Sequence, residues 1–414
     1  MSNVGNRKVN ARYLKKEEVL RQKMLKEKIP SLKKPPIDSA RPYSTWTPEE
    51  DKLFESQAPL VTFVVPLYNK EDFIAQTIDS ICQCGYPNIE IFVVDDYSTD
   101  KSAKVALEAL SKYSHIRSKV VRLRKNEGLS NARNVGYWKA KGKYIQFWDA
   151  DDYYQQKSLV KLVKDMEANQ CDVGMGIALR EGRIIPWYEK LVQSVNVTNV
   201  RSNQDITAVP SVCFKLFRKS FLDKNKLSFV KGLFVQDFEL VFRAFFLTNR
   251  VLVTPYVLGH YNMVDGSACR TFSQAKLETP FRLYELHHAF IQKQNLQQYE
   301  VFRQRLLIHH FRHFIFYVLE KRATEDHEEL LNRYVELLTY LKAGLLDLVL
   351  EFPRMVIIFI AFSCREFQLA LDIQKNEVTI DYGLLNILEN NPLGFNKKSI
   401  RAIISIFRLR LHAQ

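Results

Sequence analysis

The chain has no apolar segment at its N-terminus and no apolar run long enough to cross a bilayer. Its longest apolar stretch, MVIIFIAFSC at 355 to 364, has ten residues, whereas a spanning helix needs about 20. Neither a secretory signal nor a membrane span is therefore expected, and the stretch reads as core or as an interfacial segment. Glycine-rich phosphate loops are also missing. No Gly-x-Gly-x-x-Gly and no Walker-type loop follows any apolar run, which disfavours a dinucleotide oxidoreductase and a nucleoside triphosphatase. The six cysteines (Cys82, Cys84, Cys171, Cys213, Cys269, Cys364) lack disulfide-like or zinc-like spacing apart from Cys82-Gln-Cys84. Reduced thiols of a cytoplasmic protein are the expectation.

Charge of one sign is scarce in the middle of the chain. The net charge is +14, but residues 1 to 40 hold eleven Lys/Arg against four Asp/Glu, and residues 395 to 414 hold five Lys/Arg and no acid. The ends thus account for +7 and +5 of the total. A body close to neutral argues against a cationic groove for nucleic acid across the fold. The ends read as adhesive segments for an anionic membrane surface or an acidic partner.

With 46% apolar residues in 414, the chain can bury a core in two or three domains. Residues 1 to 58 read as a basic helix followed by the Pro- and Ser-rich linker SLKKPPIDSARPYSTWTPEED. From residue 59 to about 275, strand-like and helix-like segments alternate. They run LVTFVVPLYN (60 to 69), IEIFVVD (89 to 95), a helix over 101 to 113, KVVRLR (119 to 124), a helix over 130 to 140, and KYIQFWD (143 to 149). That pattern predicts an α/β domain with a mostly parallel sheet covered by helices on both faces. Such sheets bind ligands at the carboxyl ends of their strands, where Tyr68-Asn69, Asp95-Asp96, Lys125-Asn126 and Asp149 to Asp152 fall.

Residues 276 to 394 change to helical periodicity. Phe281, Tyr284, His288 and Ile291 form one predicted face, Leu306, Phe311, Phe314 and Val318 a second, and Leu330, Tyr334, Leu337 and Leu341 a third. Residues 395 to 414 form a predicted basic amphipathic helix, with Ile400, Ile403, Ile404, Phe407 and Leu411 opposite Arg401, Arg408 and His412. Such a helix suits a membrane surface, or docking on its own domain with a solvated cationic face.

The carboxylates carry the chemistry. In an extended segment, residues two apart point the same way, so Asp149 and Asp151 are expected to converge on a hard divalent cation that leaves positions open for a diphosphate. The alternative is a helix cap at Asp152 with the other two solvated in a turn. At Asp96 an acid can accept from a base imide or a ribose hydroxyl, or cap the following helix.

Together, TFVVPLYNKEDFIAQTIDSI (62 to 81), IEIFVVDDYSTDKS (89 to 102), NEGLSNARNVGYWKAKGKYIQFWDADD (126 to 152) and FVQDFELVFRAF (234 to 245) resemble the family 2 glycosyltransferases with the GT-A fold, of the bacterial surface-polysaccharide type. The resemblance covers roughly residues 60 to 265. It implies a Rossmann-like GT-A domain and a UDP-sugar site that comprises Pro66, Tyr68, Asn69, Asp96, Asn126, Arg133, Asp149 and Ala150. Tyr68 and Asp96 would receive the uracil, Asp149 would lie against the ribose or sugar, and Arg133 would be a cation near the donor. Asp151 and Asp149 would hold Mn2+ or Mg2+, with His260 of LGHYNMVDGSA (258 to 268) as a further candidate ligand. An ordinary hydrogen-bonded histidine is the alternative at that strand end.

The resemblance also implies that Asp237 is the general base of an inverting transfer to a hydroxyl of a glycan or lipid-linked glycan acceptor. Two positions depart from the family pattern. Gln236 stands where a Glu usually precedes the base, which is expected to lower the proton affinity of Asp237 relative to the usual arrangement. Tyr97 stands where a Gly usually follows the paired aspartates. No Gln-x-x-Arg-Trp segment of the processive synthases is present. The expected setting is cytoplasmic, peripheral on the inner face of the cell membrane, with the helical region binding the acceptor or forming a homodimer. A non-catalytic glycan- or nucleotide-binding scaffold of the same fold is the competing reading. His309, His310 and His313 read as packing, and Trp187 as a sugar platform or a core aromatic.

Overall fold

The computed structural model describes residues 52–54, 56–185, 188, 191, 195–264, 274–321, 328–341, 353–363, 365, 367 and 370. The expectations for the basic N-terminal helix, the basic C-terminal helix and Trp187 lie outside these residues. The described residues fall into two compact units, one ending at Thr279 and the other beginning at Pro280.

The first unit is built on one mixed sheet. Its leading half is β1 (Val61–Leu67), β2 (Ile89–Asp95), β3 (Arg117–Arg122) and β4 (Tyr144–Phe147), joined through α1 (Ile74–Cys82), α2 (Ser102–Ser111) and α3 (Leu129–Lys139). All four strands are parallel, in the spatial order β3-β2-β1-β4. Every residue of β1 is buried, which a parallel strand covered on both faces requires. The chain winds outward from β1 through β2 to β3 and then returns to the other side of β1 as β4. This reversal opens a crevice at the carboxyl ends of β1 and β4.

Pro66 is tolerated in this central strand for a local reason. The Leu67 carbonyl accepts from Asp96 N at 2.8 Å, so the backbone of Pro66 faces β4, with which β1 shares its last rung at Val64–Phe147. No ladder bond is lost there.

After β4 come β5 (Tyr153–Tyr154), α4 (Ser158–Ala168), β6 (Val173–Arg180), β7 (Arg183–Ile184), β8 (Asn196–Thr198), β9 (Lys215–Arg218), α5 (Lys219–Lys224), α6 (Gln236–Leu247) and β10 (Val251–His260). β9 runs antiparallel between β4 and β6, β10 lies beyond β6, and β5 closes the far edge.

Two helices show how the faces are covered. α1 does so in the ordinary way, burying Ile74, Ile78 and Ile81 at helical spacing. α3 does not. Its buried residues include Ser130, Asn131, Arg133 and Asn134, and hydrogen bonds rather than an apolar stripe hold it in place. Ser130 Oγ donates to the Val230 carbonyl at 2.9 Å, while Asn134 exchanges two bonds with the Phe229 backbone, both at 2.9 Å. Gly136 lets this helix approach β1, because a Cβ there would stand 2.3 Å from Val64 Cγ1.

The short α7 (Gln274–Leu277) ends the first unit, and α8 (Thr279–Lys293) begins at the boundary. The helical unit continues with α9 (Glu300–Lys321), α10 (Glu328–Tyr340) and α11 (Pro353–Ser363). The predicted faces of α9 and α10 are buried as read. On α8 the buried seam is Leu283, His287, Phe290 and Ile291, while Phe281, Tyr284 and His288 are only half-buried. The Arg333 guanidinium covers the Phe281 ring at 4.2 Å, so Phe281 lies at the edge of the buried face. Val356, Phe359, Ile360 and Ala361 of the apolar stretch are fully buried, and no helix among the described residues is long and apolar enough to cross a membrane.

Candidate functional site

The segment after β4 is not extended. Asp152 N donates to the Asp149 carbonyl at 3.2 Å, closing a four-residue turn, and this corrects the expectation that Asp149 and Asp151 would point the same way. A turn brings its first and fourth residues together. One oxygen of Asp149, one of Asp152 and the Cys213 sulfur lie within 4.8 Å of one another, a group that excludes Asp151 and His260.

Neighbouring side chains grip this turn. Trp148 is fully buried against Tyr154 and Phe214, and its Nε1 donates to the Asp152 carbonyl at 3.1 Å. Thr77 Oγ1 of α1 donates to the Ala150 carbonyl at 2.8 Å, and Asn262 Nδ2 to the Asp151 carbonyl at 2.6 Å. Asp152 caps no helix. Its Oδ1 accepts from Asn262 N at 2.9 Å, while Oδ2 is buried without a hydrogen-bond partner.

Arg133 joins the turn to the candidate base. It is 1% exposed, not the solvated helix residue of the alternative reading. Its Nη2 donates to Asp149 Oδ1 at 2.6 Å, and its Nη1 to Gln236 Oε1 at 3.0 Å and to Asp237 Oδ1. The guanidinium lies 5.3 Å over the Phe229 ring. The second oxygen of Asp237 accepts from Val212 N at 3.2 Å. Burial disfavours the guanidinium charge, but Asp237 and Asp149 outweigh it and hold Arg133 above its ordinary pKa. One planar donor thus spans two carboxylates, which a lysine could not do in this geometry.

Burial is the leading effect on each perturbed acid here. It pushes Asp237 up, aided by the charge of Asp149 and opposed by Arg133. The neutral Gln236 accepts a bond from Arg133 at 3.0 Å. Burial with the charge of Asp149 pushes Asp151 up against Lys70, and pushes Asp152 well up.

Lys70 is the residue that the sequence reading passed over. It follows Tyr68-Asn69, and its Nζ lies 2.6 Å from Asp151 Oδ2 with both side chains mostly buried. Among 60 Lys and Arg, nothing in the sequence distinguishes it; only proximity after folding does.

The nucleotide candidates gather along the same edge. Tyr68 is exposed, and Asn69 is half left-handed turn, half lacing: its N–H donates to Ser98 Oγ at 3.1 Å and its Oδ1 accepts from Thr99 N at 2.9 Å. Asp96 is buried and accepts from Glu127 N at 2.7 Å and Gly128 N at 2.8 Å, so it fixes the loop that enters α3. Burial raises its pKa against those two donors. Each Asp96 oxygen keeps a second lone pair for a ligand. Asn126 is exposed and turns back on Gly128 N at 3.2 Å. His260 lies 3.3 Å from Gln155 Oε1 through Nε2.

The donor set fits a hard divalent cation. Carboxylate oxygens are its ligands of choice, and the orphaned Asp152 Oδ2 is an oxygen such an ion would satisfy. Cys213 is unsuited, being a soft sulfur that burial keeps protonated.

Residues 62–225 match the family model described as Glycosyl transferase family 2. The chain is 29% identical over 228 residues to the glycosyltransferase GlyA of Streptococcus pneumoniae serotype 4, covering 52% of this chain and 32% of GlyA. It is 34% identical over 173 residues to the poly(ribitol-phosphate) beta-glucosyltransferase of Bacillus spizizenii, covering 41% of this chain and 26% of that one. With the S. pneumoniae glycosyltransferase GlyG it shares 25% identity over 225 residues, 51% of this chain and 73% of GlyG. The chain thus spans about a third of the length of GlyA and about a quarter of the Bacillus spizizenii enzyme. Among solved structures, S. aureus TarS 1-349 in complex with UDP superposes with a TM-score of 0.54 at 20% identity, covering 86% of this chain and 92% of that one. The fold is shared with it.

Proposed function

We propose, from the match of residues 62–225 to the family 2 glycosyltransferase model, that the protein transfers a sugar from a UDP-sugar to a hydroxyl of a glycan or lipid-linked glycan acceptor in cell-surface polysaccharide synthesis, with inversion. The observation that carries this reading is the Asp149–Arg133–Asp237 assembly at the mouth of the sheet. TarS in complex with UDP and with UDP-GlcNAc supports the choice of donor by analogy of fold, and the names of the relatives support the setting.

In the proposed reaction the uracil enters between the loops that follow β1 and β2, near Tyr68 and Asp96. The acceptor oxygen attacks the anomeric carbon, the bond from that carbon to the β-phosphate oxygen breaks, and UDP leaves. Asp237 takes the acceptor proton. Its raised pKa moves it toward working pH, where a general base is most effective. Arg133 fixes the orientation of Asp237 and offers positive charge beside Asp149. A bound Mn2+ or Mg2+ would be held by Asp149 and Asp152, with Asp151 as a further carboxylate once it parts from Lys70, and would supply charge for the departing diphosphate. In the present arrangement Lys70 neutralises Asp151. The basic ends would hold the enzyme at the inner face of the membrane, and the helical unit would serve acceptor binding or a homodimer.

The test is UDP release from a panel of UDP-sugars with acceptor glycans, with and without Mn2+ or Mg2+. Asp237→Asn is expected to keep UDP binding and to lose about 10²- to 10⁴-fold in turnover, the usual contribution of a general base. A wild-type protein that binds UDP yet turns over no donor with any acceptor, or an Asp237→Asn variant as fast as wild type, would favour the scaffold reading instead.

A further inference from the structure

Tyr97 adopts a backbone conformation that its side chain opposes. Its φ is +66°, in the left-handed region where a bulky residue is an outlier and glycine is the natural occupant. The turn around it enforces this conformation. Ser98 N donates to the buried Asp95 carboxylate at 3.1 Å, and Ser98 Oγ and Thr99 N are laced to Asn69 of the neighbouring loop. A strained residue that persists in a well-determined turn points to a use for its side chain.

The ring is neither core nor loose. Tyr97 is 47% exposed, and the Arg122 guanidinium lies 5.5 Å over its ring. Arg122 is itself fixed, with Nη2 donating to the Ser98 carbonyl at 2.8 Å and Nε 3.4 Å from Asp95. The cation therefore backs the ring while half of the residue stays in solvent. Tyr68, 45% exposed, occupies the equivalent place on the laced β1 loop, one residue before Asn69 as Tyr97 is one before Ser98. Two exposed tyrosines thus stand on loops laced to each other through Asn69, and Asp96, which precedes Tyr97, donates its N–H to the carbonyl of Leu67, which precedes Tyr68.

We propose that Tyr97 is a donor-binding residue, its Arg122-backed ring forming a second aromatic wall for the uracil of the UDP-sugar. The inference rests on the UDP-sugar reading above and names a side chain where the family pattern has none. Backbone strain at this turn is retained because a stacking surface is gained.

Strain and stacking make opposite demands, and this gives the test. UDP and inorganic pyrophosphate binding are measured by calorimetry with Mn2+ present, and stability by urea denaturation, for wild type, Tyr97→Gly, Tyr97→Phe and Tyr97→Asn. Tyr97→Gly is expected to raise the urea midpoint and to weaken UDP binding about tenfold, the lower part of the range for one base–aromatic stack, with pyrophosphate binding unchanged. Tyr97→Phe keeps both wild-type values. Tyr97→Asn, which also tolerates the left-handed region, should repeat the loss of UDP affinity if the glycine variant folds poorly. Equal UDP binding by the wild-type, glycine and asparagine proteins, or parallel loss of pyrophosphate binding, overturns the role of Tyr97. A wild-type protein that binds no UDP overturns the donor reading itself, and this inference with it.

Discussion

Replacing Gly136 by alanine tests whether the site depends on the seating of α3. The new Cβ would lie 2.3 Å from Val64 Cγ1 and 3.3 Å from both Val64 Cβ and Cγ2, whereas carbon atoms rest at about 3.5–4.0 Å. The shortfall exceeds 1 Å by a small margin at the nearest atom. Val64 cannot yield it, because it is fully buried, stiff at χ1 and held on both sides by β2 and β4. The helix must move instead.

Overpacking of this kind costs about 1–3 kcal/mol, while alanine in place of glycine returns about 1 kcal/mol of helix propensity. The net loss of stability is therefore expected to be about 0–2 kcal/mol by urea denaturation. Activity should suffer more. Arg133 lies one turn earlier on the same helix, and a displacement of about 1 Å at a reacting geometry costs about 100-fold in rate. The assay pairs UDP release with the denaturation curve, and adds the double variant Gly136→Ala/Val64→Ala. Removing the valine methyls should recover part of the rate despite a further loss of stability, which is the sign of coupling between neighbours. A Gly136→Ala protein that is more stable by the full propensity gain and as active as wild type would refute the close seating of α3 on β1.

Asn134→Ala leaves the Phe229 N–H and carbonyl unsatisfied in a buried place, so a loss of about 2–4 kcal/mol is expected in urea at pH 7, at roughly 1–2 kcal/mol for each orphaned group. Lys215 is fully buried, and its Nζ donates to the Val209 and Ser211 carbonyls; burial lowers its pKa from 10.5 to about 7. The unfolded chain then binds the extra proton between those values, so the stability associated with Lys215 is full above pH 10.5, declines as pH falls toward 7 and is flat below. The whole window is worth on the order of 5 kcal/mol. The stability difference between wild type and Lys215→Met should therefore move in favour of wild type between pH 7 and 9.5, and a constant difference would contradict it. Lys70→Met removes the cation paired with Asp151 and should tighten Mn2+ binding several-fold in a titration without donor, whereas Asp151→Ala should weaken it. An unchanged affinity in Lys70→Met would mean that the ion pair and the metal do not share that carboxylate.

Much of the first unit could be read from local pattern. The all-apolar run of β1, the alternation of short strands with helices, and the polar residues at four strand ends are properties of sequence spacing, and the sheet of 3-2-1-4 order follows them. α3 was legible as a helix but not as a buried one, since SNARNVG has no apolar stripe. Its burial depends on bonds from Ser130 and Asn134 to residues 229 and 230, about a hundred positions away. The antiparallel insertion of β9 between β4 and β6 likewise carries no local mark.

The sequence by itself determined which residue types stand at the mouth of the sheet: Tyr68, Asp96, Asp149, Asp151 and Asp152, with Arg133 and Asp237 beyond them. Period and composition act over a few residues, and strand ends are set at that range. Only the tertiary structure decided which of these residues meet. A turn where extension was expected joined Asp149 to Asp152, and a ring of long-range bonds placed Arg133 between Asp149 and Asp237. Lys70 reached Asp151 across 81 positions. Such pairings depend on loop closure and burial, which are settled when the whole sheet forms and not by any residue's near neighbours in the chain.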